Sequence, residues 1–190
     1  MPTLNVASNV TVGKPNRTGA IYWAPLGTTL PTSASAALNA AFDCLGYVSE
    51  DGVTNNNSPE SDTVKAWGGD TVLVLQTDRP DTFQLSLLEA MNDDVLTAIY
   101  GSGNVTVDGS GNITVKATAD EIAAGCWVID MVLKGNRAKR IVIPEGKISE
   151  IGDIVYKDDE AVAYPLTIMN VPDSNGVYHY EYIAGPGISG

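Results

Sequence analysis

Cys126-Trp-Val-Ile-Asp-Met-Val-Leu133 and Ala138-Lys-Arg-Ile-Val-Ile143, joined through Gly135-Asn136, are two runs rich in β-branched and aromatic residues with a turn pair between them. The pattern predicts an antiparallel hairpin, because Gly and Asn tolerate the positive φ angles of a two-residue turn. The first strand reaches back toward Ala123, and Pro144 closes the second. Lys134, Arg137, Lys139 and Arg140 put four of the eleven basic residues at this hairpin. Such charge protects a sheet edge or meets acidic loops of a neighbour. A nucleic-acid patch fits less well, because the remainder of the chain is acidic.

Outward from the hairpin, the same strand-and-turn grammar continues. Gly101-Ser-Gly-Asn-Val-Thr-Val107 is followed by Gly109-Ser-Gly-Asn-Ile-Thr-Val115, a two-copy repeat that reads as a second hairpin about Asp108-Gly109. Downstream, Ile151–Tyr156 and Ala161–Met169 read as strands about the acidic turn Asp158-Asp159-Glu160, with Pro165 marking the latter as an edge or bent strand. Val177–Ile183 reads as the last strand. Upstream, Phe83, Leu85 and Leu87 alternate with Gln84 and Ser86, so Thr82–Leu88 has one apolar and one polar face. Asn92, with Asp93 and Asp94 behind it, caps a helix whose apolar face is Val95, Leu96, Ile99 and Tyr100, and Gly101 ends it.

Further back, Thr71-Val-Leu-Val-Leu75 is apolar without alternation, as in a strand covered on both faces. Residues 50–62, with Glu50, Asp51, Glu60 and Asp62, read as a polar loop, and a long mobile loop is expected near 50–70. Leu38, Ala41, Phe42 and Leu45 fall at helical spacing behind Thr32 or Ser33, which predicts a short helix over 34–42. Ala20–Ala24 is a strand stopped by Pro25. Residues 1–19 form an arm whose Val10-Thr11-Val12 suits a sheet edge, its own or a neighbour's. The expectation is a mainly β sandwich or half-barrel over 20–190, with one flanking helix and a short second one.

The chain of 190 residues carries a net charge of −12, and charged residues make up 18%. Strong acidity argues against gripping nucleic acid by counterion release. Low charge density suits a surface that meets protein, or one covered by Thr, Asn and Ser. Cys44 and Cys126 lack the spacing for a disulfide framework or a zinc site and read as small buried hydrophobes. No basic stretch leads into an apolar one at the start, and no apolar run approaches the ~18 residues of a membrane span, so no membrane insertion is expected. Synthesis in a cytoplasm is expected, with exit only as part of a larger particle.

Chemistry is not written in the sequence. His179 is the single histidine, no nucleophile elbow or P-loop is present, and the acidic pairs Glu50-Asp51 and Asp158-Asp159 sit in turns. No catalytic residue, cofactor site or metal site is expected.

Four stretches occur in an informative order: Gly19-Ala-Ile-Tyr-Trp-Ala-Pro-Leu-Gly-Thr-Thr-Leu-Pro-Thr32, Leu45-Gly-Tyr-Val-Ser-Glu-Asp-Gly-Val53, Lys65-Ala-Trp-Gly-Gly-Asp70, and Thr82-Phe-Gln-Leu-Ser-Leu-Leu-Glu-Ala-Met-Asn92 running into Val95-Leu-Thr-Ala-Ile-Tyr-Gly101. This order resembles the major tail (tail tube) proteins of long-tailed, non-contractile phages infecting Gram-positive bacteria. The resemblance is strongest from about residue 19 to 101. It implies hexameric rings that stack into a tube conducting double-stranded DNA without specific binding. It also implies synthesis in the bacterial host and partnership with itself and with tape-measure, tail-tip and tail-terminator proteins. Residues Glu50, Asp51, Glu60 and Asp62 against Lys134, Arg137, Lys139 and Arg140 are the candidate contacts between subunits, on charge and expected exposure. Two other readings remain: another virion part, such as a capsid decoration or tail-end protein, and a carbohydrate-binding module using the alternating Tyr178, Tyr180 and Tyr182.

Overall fold

The computed structural model describes residues 5–185, so the first four residues of the arm and the last five of the chain lie outside the description. After a 3-10 turn at Ala7–Asn9 come β1 (Lys14–Pro15), β2 (Ile21–Pro25), β3 (Asp43–Cys44) and β4 (Thr54–Asn56). A hairpin of β5 (Glu60–Lys65) and β6 (Thr71–Asp78) follows, then β7 (Thr82–Leu87) and the helix α1 (Asp93–Tyr100). A small hairpin pairs β8 (Val105–Val107) with β9 (Ile113–Val115). Last come β10 (Gly125–Leu133), β11 (Arg137–Ile151), β12 (Tyr164–Asn170) and β13 (Tyr180–Ile183).

The hairpin that decided the fold class is the centre of the molecule. The turn from β10 into β11 holds three residues, Lys134–Asn136, and not the two expected: Leu133 pairs with Arg137, and Gly135 (φ 77) and Asn136 (φ 58) supply the positive φ angles. β11 does not stop at Pro144, as its sequence suggested; it runs 15 residues and changes partner at that point. Its first half pairs with β10 on one side and β13 on the other, and its second half pairs with β12. A proline has no N–H for a ladder, so a change of partner is where a strand tolerates one. The continuous order is β3-β2-β10-β11-β12-β7-β4 in a nine-stranded sheet, with β1 added to β10 and β13 to β11. β12 is therefore an interior strand, not an edge, and Pro165 sits near its start. The stretch beyond Ile151 is not a strand until Tyr164.

One core joins the two halves of the sheet. Trp127, Ile129, Ile141 and Ile143 from β10 and β11 share a cluster with Phe83, Leu85, Leu166 and Ile168 from β7 and β12. Val95, Leu96, Ala98 and Ile99 of α1 close it. The helix starts as its sequence predicts: the Asn92 side chain accepts from the backbone N–H of Asp94 at 3.0 Å. Gly46 is required beside it. At φ +74, a Cβ there would overlap the carboxylate of Glu89, which accepts from the Tyr47 N–H and from Asn92.

The other face of β10 and β11 is covered too. Cys126, Val128 and Val142 pack with Ala24 and Phe42, and with Leu30, Leu38, Tyr180 and Tyr182 at the margin. The predicted helix over 34–42 is absent; this segment is an irregular strap across the sheet. Leu38 and Phe42 do face inward, whereas Ala41 is exposed, and the strap's carbonyls are committed elsewhere. Arg140 donates through Nη1 to Ser33 O (3.2 Å) and Ala36 O (2.6 Å), two acceptors a helix would need. The Asn39 side chain binds the backbone N–H of Ala41 within the strap and so competes with helix.

Arg140 is buried and ion-paired with Asp130, Nε to Oδ1 at 2.6 Å and Nη2 to Oδ2 at 2.7 Å. The two are direct cross-strand partners. Such a fork-to-fork pair is strong when complete and damaging when halved. Arg140→Ala is expected to lower the unfolding free energy by about 3 kcal/mol. Urea unfolding of the subunit checks this; a loss within the ~0.5 kcal/mol of an ordinary surface change would show that the pair does not hold the strap.

Candidate assembly surface

The hairpin β5–β6 stands apart from the core. Residues 50–62 do not form the expected loop: Thr54–Asn56 pairs with β7, and Glu60–Lys65 pairs with β6. The apolar run of β6, expected under cover on both faces, is exposed throughout the subunit: Val72 61%, Leu73 50%, Val74 61% and Leu75 46%. Register assigns the faces. Val64 lies opposite Leu73, so Val64, Leu73 and Leu75 share one face, and Thr63, opposite Val74, shares the other with Val72 and Val74. Trp67 at the tip is fully exposed. A two-stranded hairpin is marginal in water, and this one buries neither apolar face.

The charged candidates separate once placed. Glu60 and Asp62 lie on β5, and Glu50 and Asp51 lie in the turn before β4; all four are exposed. The basic set is not one patch. Lys134 is exposed at the β10–β11 turn, and Arg137 donates through Nε to Ala184 O at 2.8 Å. Lys139 pairs with Glu181 of β13 at 3.0 Å. Arg140 lies on the opposite face of β11 and is buried, so the expectation that it is an exposed contact is corrected: a guanidinium held by Asp130 and two carbonyls is not free for a neighbour. No sequence signal marked that pair: it faces across β10 and β11 only because the hairpin centres on Gly135, five residues from each, and not on the expected Gly135-Asn136 pair.

A second surface lies on β4, β7, β12 and the second half of β11. The core face carries Phe83, Leu85, Leu166 and Ile168. Cross-strand rows define the other face: Thr54–Gln84–Thr167–Glu150 and Asn56–Thr82–Met169–Lys147, with Ser86 opposite Pro165. These residues are mostly hydroxyls and amides, with Met169, Pro165, one Lys and one Glu among them; Asp51 lines the groove beside Thr54 and Gln84, and Glu121 pairs with Lys147, so the face is sparsely charged with a small acidic excess.

The arm takes a sheet edge of its own subunit. Lys14 and Pro15 pair with Val132 and Met131, and Thr11 Oγ1 accepts from the Lys134 N–H at 2.8 Å. Tyr180 and Tyr182 stack at 6.2 Å and 3° and are half-buried against the second core cluster, with the Tyr180 hydroxyl donating to Asp173. They do not form an exposed sugar-binding platform. Burial pushes the Cys126 thiol pKa up, consistent with an inert packing residue, whereas Cys44 is half-buried. Among the described residues there is no cluster of metal-ligating side chains, and no helix is long and apolar enough to cross a membrane.

The sequence was compared with known proteins. No curated protein matches it. A family model described as phage tail tube protein matches residues 7–185. That span takes in both surfaces, the whole nine-stranded sheet and the exposed hairpin. The chain belongs to the phage tail tube protein family: it is a structural component of the virion tail that assembles with its own copies, and it is not an enzyme.

Proposed function

We propose that this subunit closes hexameric rings that stack into the tube of a long, non-contractile tail, through which double-stranded DNA passes into a Gram-positive host. The observation that carries the reading is the β5–β6 hairpin, apolar on both faces and covered on neither within the subunit. An element of this kind is completed by cover on two sides, which copies in the same ring and in the next ring supply. The exposed outer edge of β4 supports ring closure, since joining sheets around a ring removes such edges. Tape-measure, tail-tip and terminator proteins are the partners a tube requires at its bore and ends.

The sparsely charged face of β4, β7, β12 and β11 suits the passage. It has too few large apolar groups for a protein interface core and no excess of Lys or Arg to hold phosphate. Gln84, Ser86, Thr167 and Thr54 offer water-like groups to a passing duplex. Its acidic excess is small, with Asp51, Glu121 and Glu150 against Lys147.

Two hairpin variants test the assembly reading face by face. Leu73→Asp and Val74→Asp alter opposite faces at exposed positions, so each is expected to change subunit stability by no more than ~0.5 kcal/mol. Each is expected to abolish tubes seen by negative-stain electron microscopy. Tubes formed normally by both variants would overturn the proposed role of the hairpin; loss with one alone would leave a single covered face.

The charged contacts are tested separately. Lys134→Glu combined with Arg137→Glu is expected to slow tube growth, measured by light scattering, and to flatten its salt dependence. Unchanged growth and salt response would remove the basic residues from the interface.

A further inference from the structure

We propose that Asp81 is the pivot that sets the pose of the β5–β6 hairpin, and that His179 is a positioning residue that ties this pivot to the C-terminal segment. The proposal rests on the assembly reading only for its consequence, because the coupling itself is a property of one subunit.

The hairpin is joined to the body by two legs, residues 57–59 and 79–81. Asp81, in the outgoing leg, is buried. Its carboxylate accepts from Asn55 Nδ2 at 2.7 Å, which reaches across from β4 at the head of the incoming leg. The same amide also donates to Thr82 O at 3.1 Å. Further out, Arg79 donates through Nε to Asn57 Oδ1 at 2.6 Å, a second clasp between the legs. Two more donors connect the carboxylate to the body: Asn170 Nδ2 from the end of β12, at 3.0 Å, and His179 Nδ1. The Asp81 carbonyl also accepts from the Asn170 N–H at 2.9 Å. One buried carboxylate therefore joins both hairpin legs, β12 and the segment before β13.

The histidine is held on its other side as well. Its ring meets Phe83 edge-on, with centroids 5.2 Å apart and planes at 83°. Phe83 belongs to the main core, so the imidazole is wedged between a fixed wall and the carboxylate. Displacing residues 171–179 takes the imidazole out of this wedge and leaves Asp81 with two neutral amides. A buried carboxylate that loses a donor is poorly solvated, and the leg that carries it gains freedom to rearrange. The pose of an apolar hairpin seeking partners thus depends on where the C-terminal segment lies.

The arrangement has an acid signature. Burial alone would raise the Asp81 pKa, but the hydrogen bonds from Asn55, His179 and Asn170 outweigh it and hold the carboxyl below its ordinary value. Asn55 and Asn170 are neutral, and His179 is the one titratable side chain among the described residues that contacts it. A depressed carboxyl contributes stability above the ordinary Asp pKa and loses it as pH falls through the depressed one.

Hydrogen exchange of the full-length subunit, read by peptide, tests the coupling. His179→Leu removes the donor, whereas His179→Gln restores an N–H donor of similar reach. Exchange at residues 55–62 and 78–82 is expected to rise on the order of tenfold in the Leu variant and to return toward wild type in the Gln variant, with β10 and β11 unchanged. Leu-variant exchange equal to wild type at the hairpin root would overturn the proposal, as would a uniform rise that includes β10 and β11. If the Leu variant does not fold, wild-type exchange against pH, corrected for intrinsic rates, decides. Opening of the root before β10 and β11, only as pH falls below the ordinary Asp range, supports the pivot, and simultaneous opening of the whole chain refutes it. Tube formation plays no part in these readouts, so failure of the assembly reading and failure of the pivot are seen separately.

Discussion

The pairing of Asp130 with Arg140 organises the subunit. The two residues are opposite one another on β10 and β11, so their fork-to-fork contact is satisfied in a single register. A slip of one residue would turn the charge on the slipped strand into the apolar core on the other face and leave its partner unpaired. The same guanidinium reaches the carbonyls of Ser33 and Ala36 and thereby holds the strap over Val128 and Val142. Register, strap and second core cluster share one ion pair. Burial in low dielectric makes that sharing strict, because neither charge has water to fall back on.

With the central sheet fixed in this way, the parts left without intramolecular cover stand out. β10 and the first half of β11 have both faces packed, the second half of β11 with β7 and β12 has one face packed and one open, and β4 is exposed throughout. The β5–β6 hairpin has neither face packed. The gradient runs from finished interior to unfinished element along a single chain. A self-assembling subunit needs such a gradient: a core that folds alone, and an apolar element whose burial drives association.

The sequence disclosed local periodicity well and cover poorly. Alternation in Phe83, Leu85 and Leu87 identified a one-sided strand, and the Asn92 cap identified the helix, because both signals are local. The run Thr71–Leu75 correctly read as a strand without a polar face, yet nothing in it says whether the cover comes from the same chain. Helical spacing at Leu38, Ala41 and Phe42 marked inward-facing residues correctly at Leu38 and Phe42 but mistook their backbone, since the competing hydrogen bonds come from Arg140, about a hundred residues away. The basic hairpin looked like a patch because side-chain charge is visible in sequence and burial is not. Arg140 and Lys139 are adjacent in the chain and face opposite ways. The Asp81 hub was invisible for a similar reason, as its three donors come from β4, β12 and the segment before β13.

The charge distribution bears on how a conduit avoids holding its cargo. On the proposed reading, the duplex meets mostly hydroxyls and amides, with few charges among them. Discrete charges at the wall would give a moving polyanion a corrugated path, with each carboxylate or lysine a local barrier or trap. Screening decays over about 8–10 Å at physiological ionic strength, so a wall that carries few charges keeps that corrugation shallow. The two charges in its rows, Lys147 and Glu150, belong to one strand three residues apart, and Lys147 is already engaged by Glu121. A wall built this way neither grips phosphate nor presents a steep barrier, which is what passage without binding demands of it.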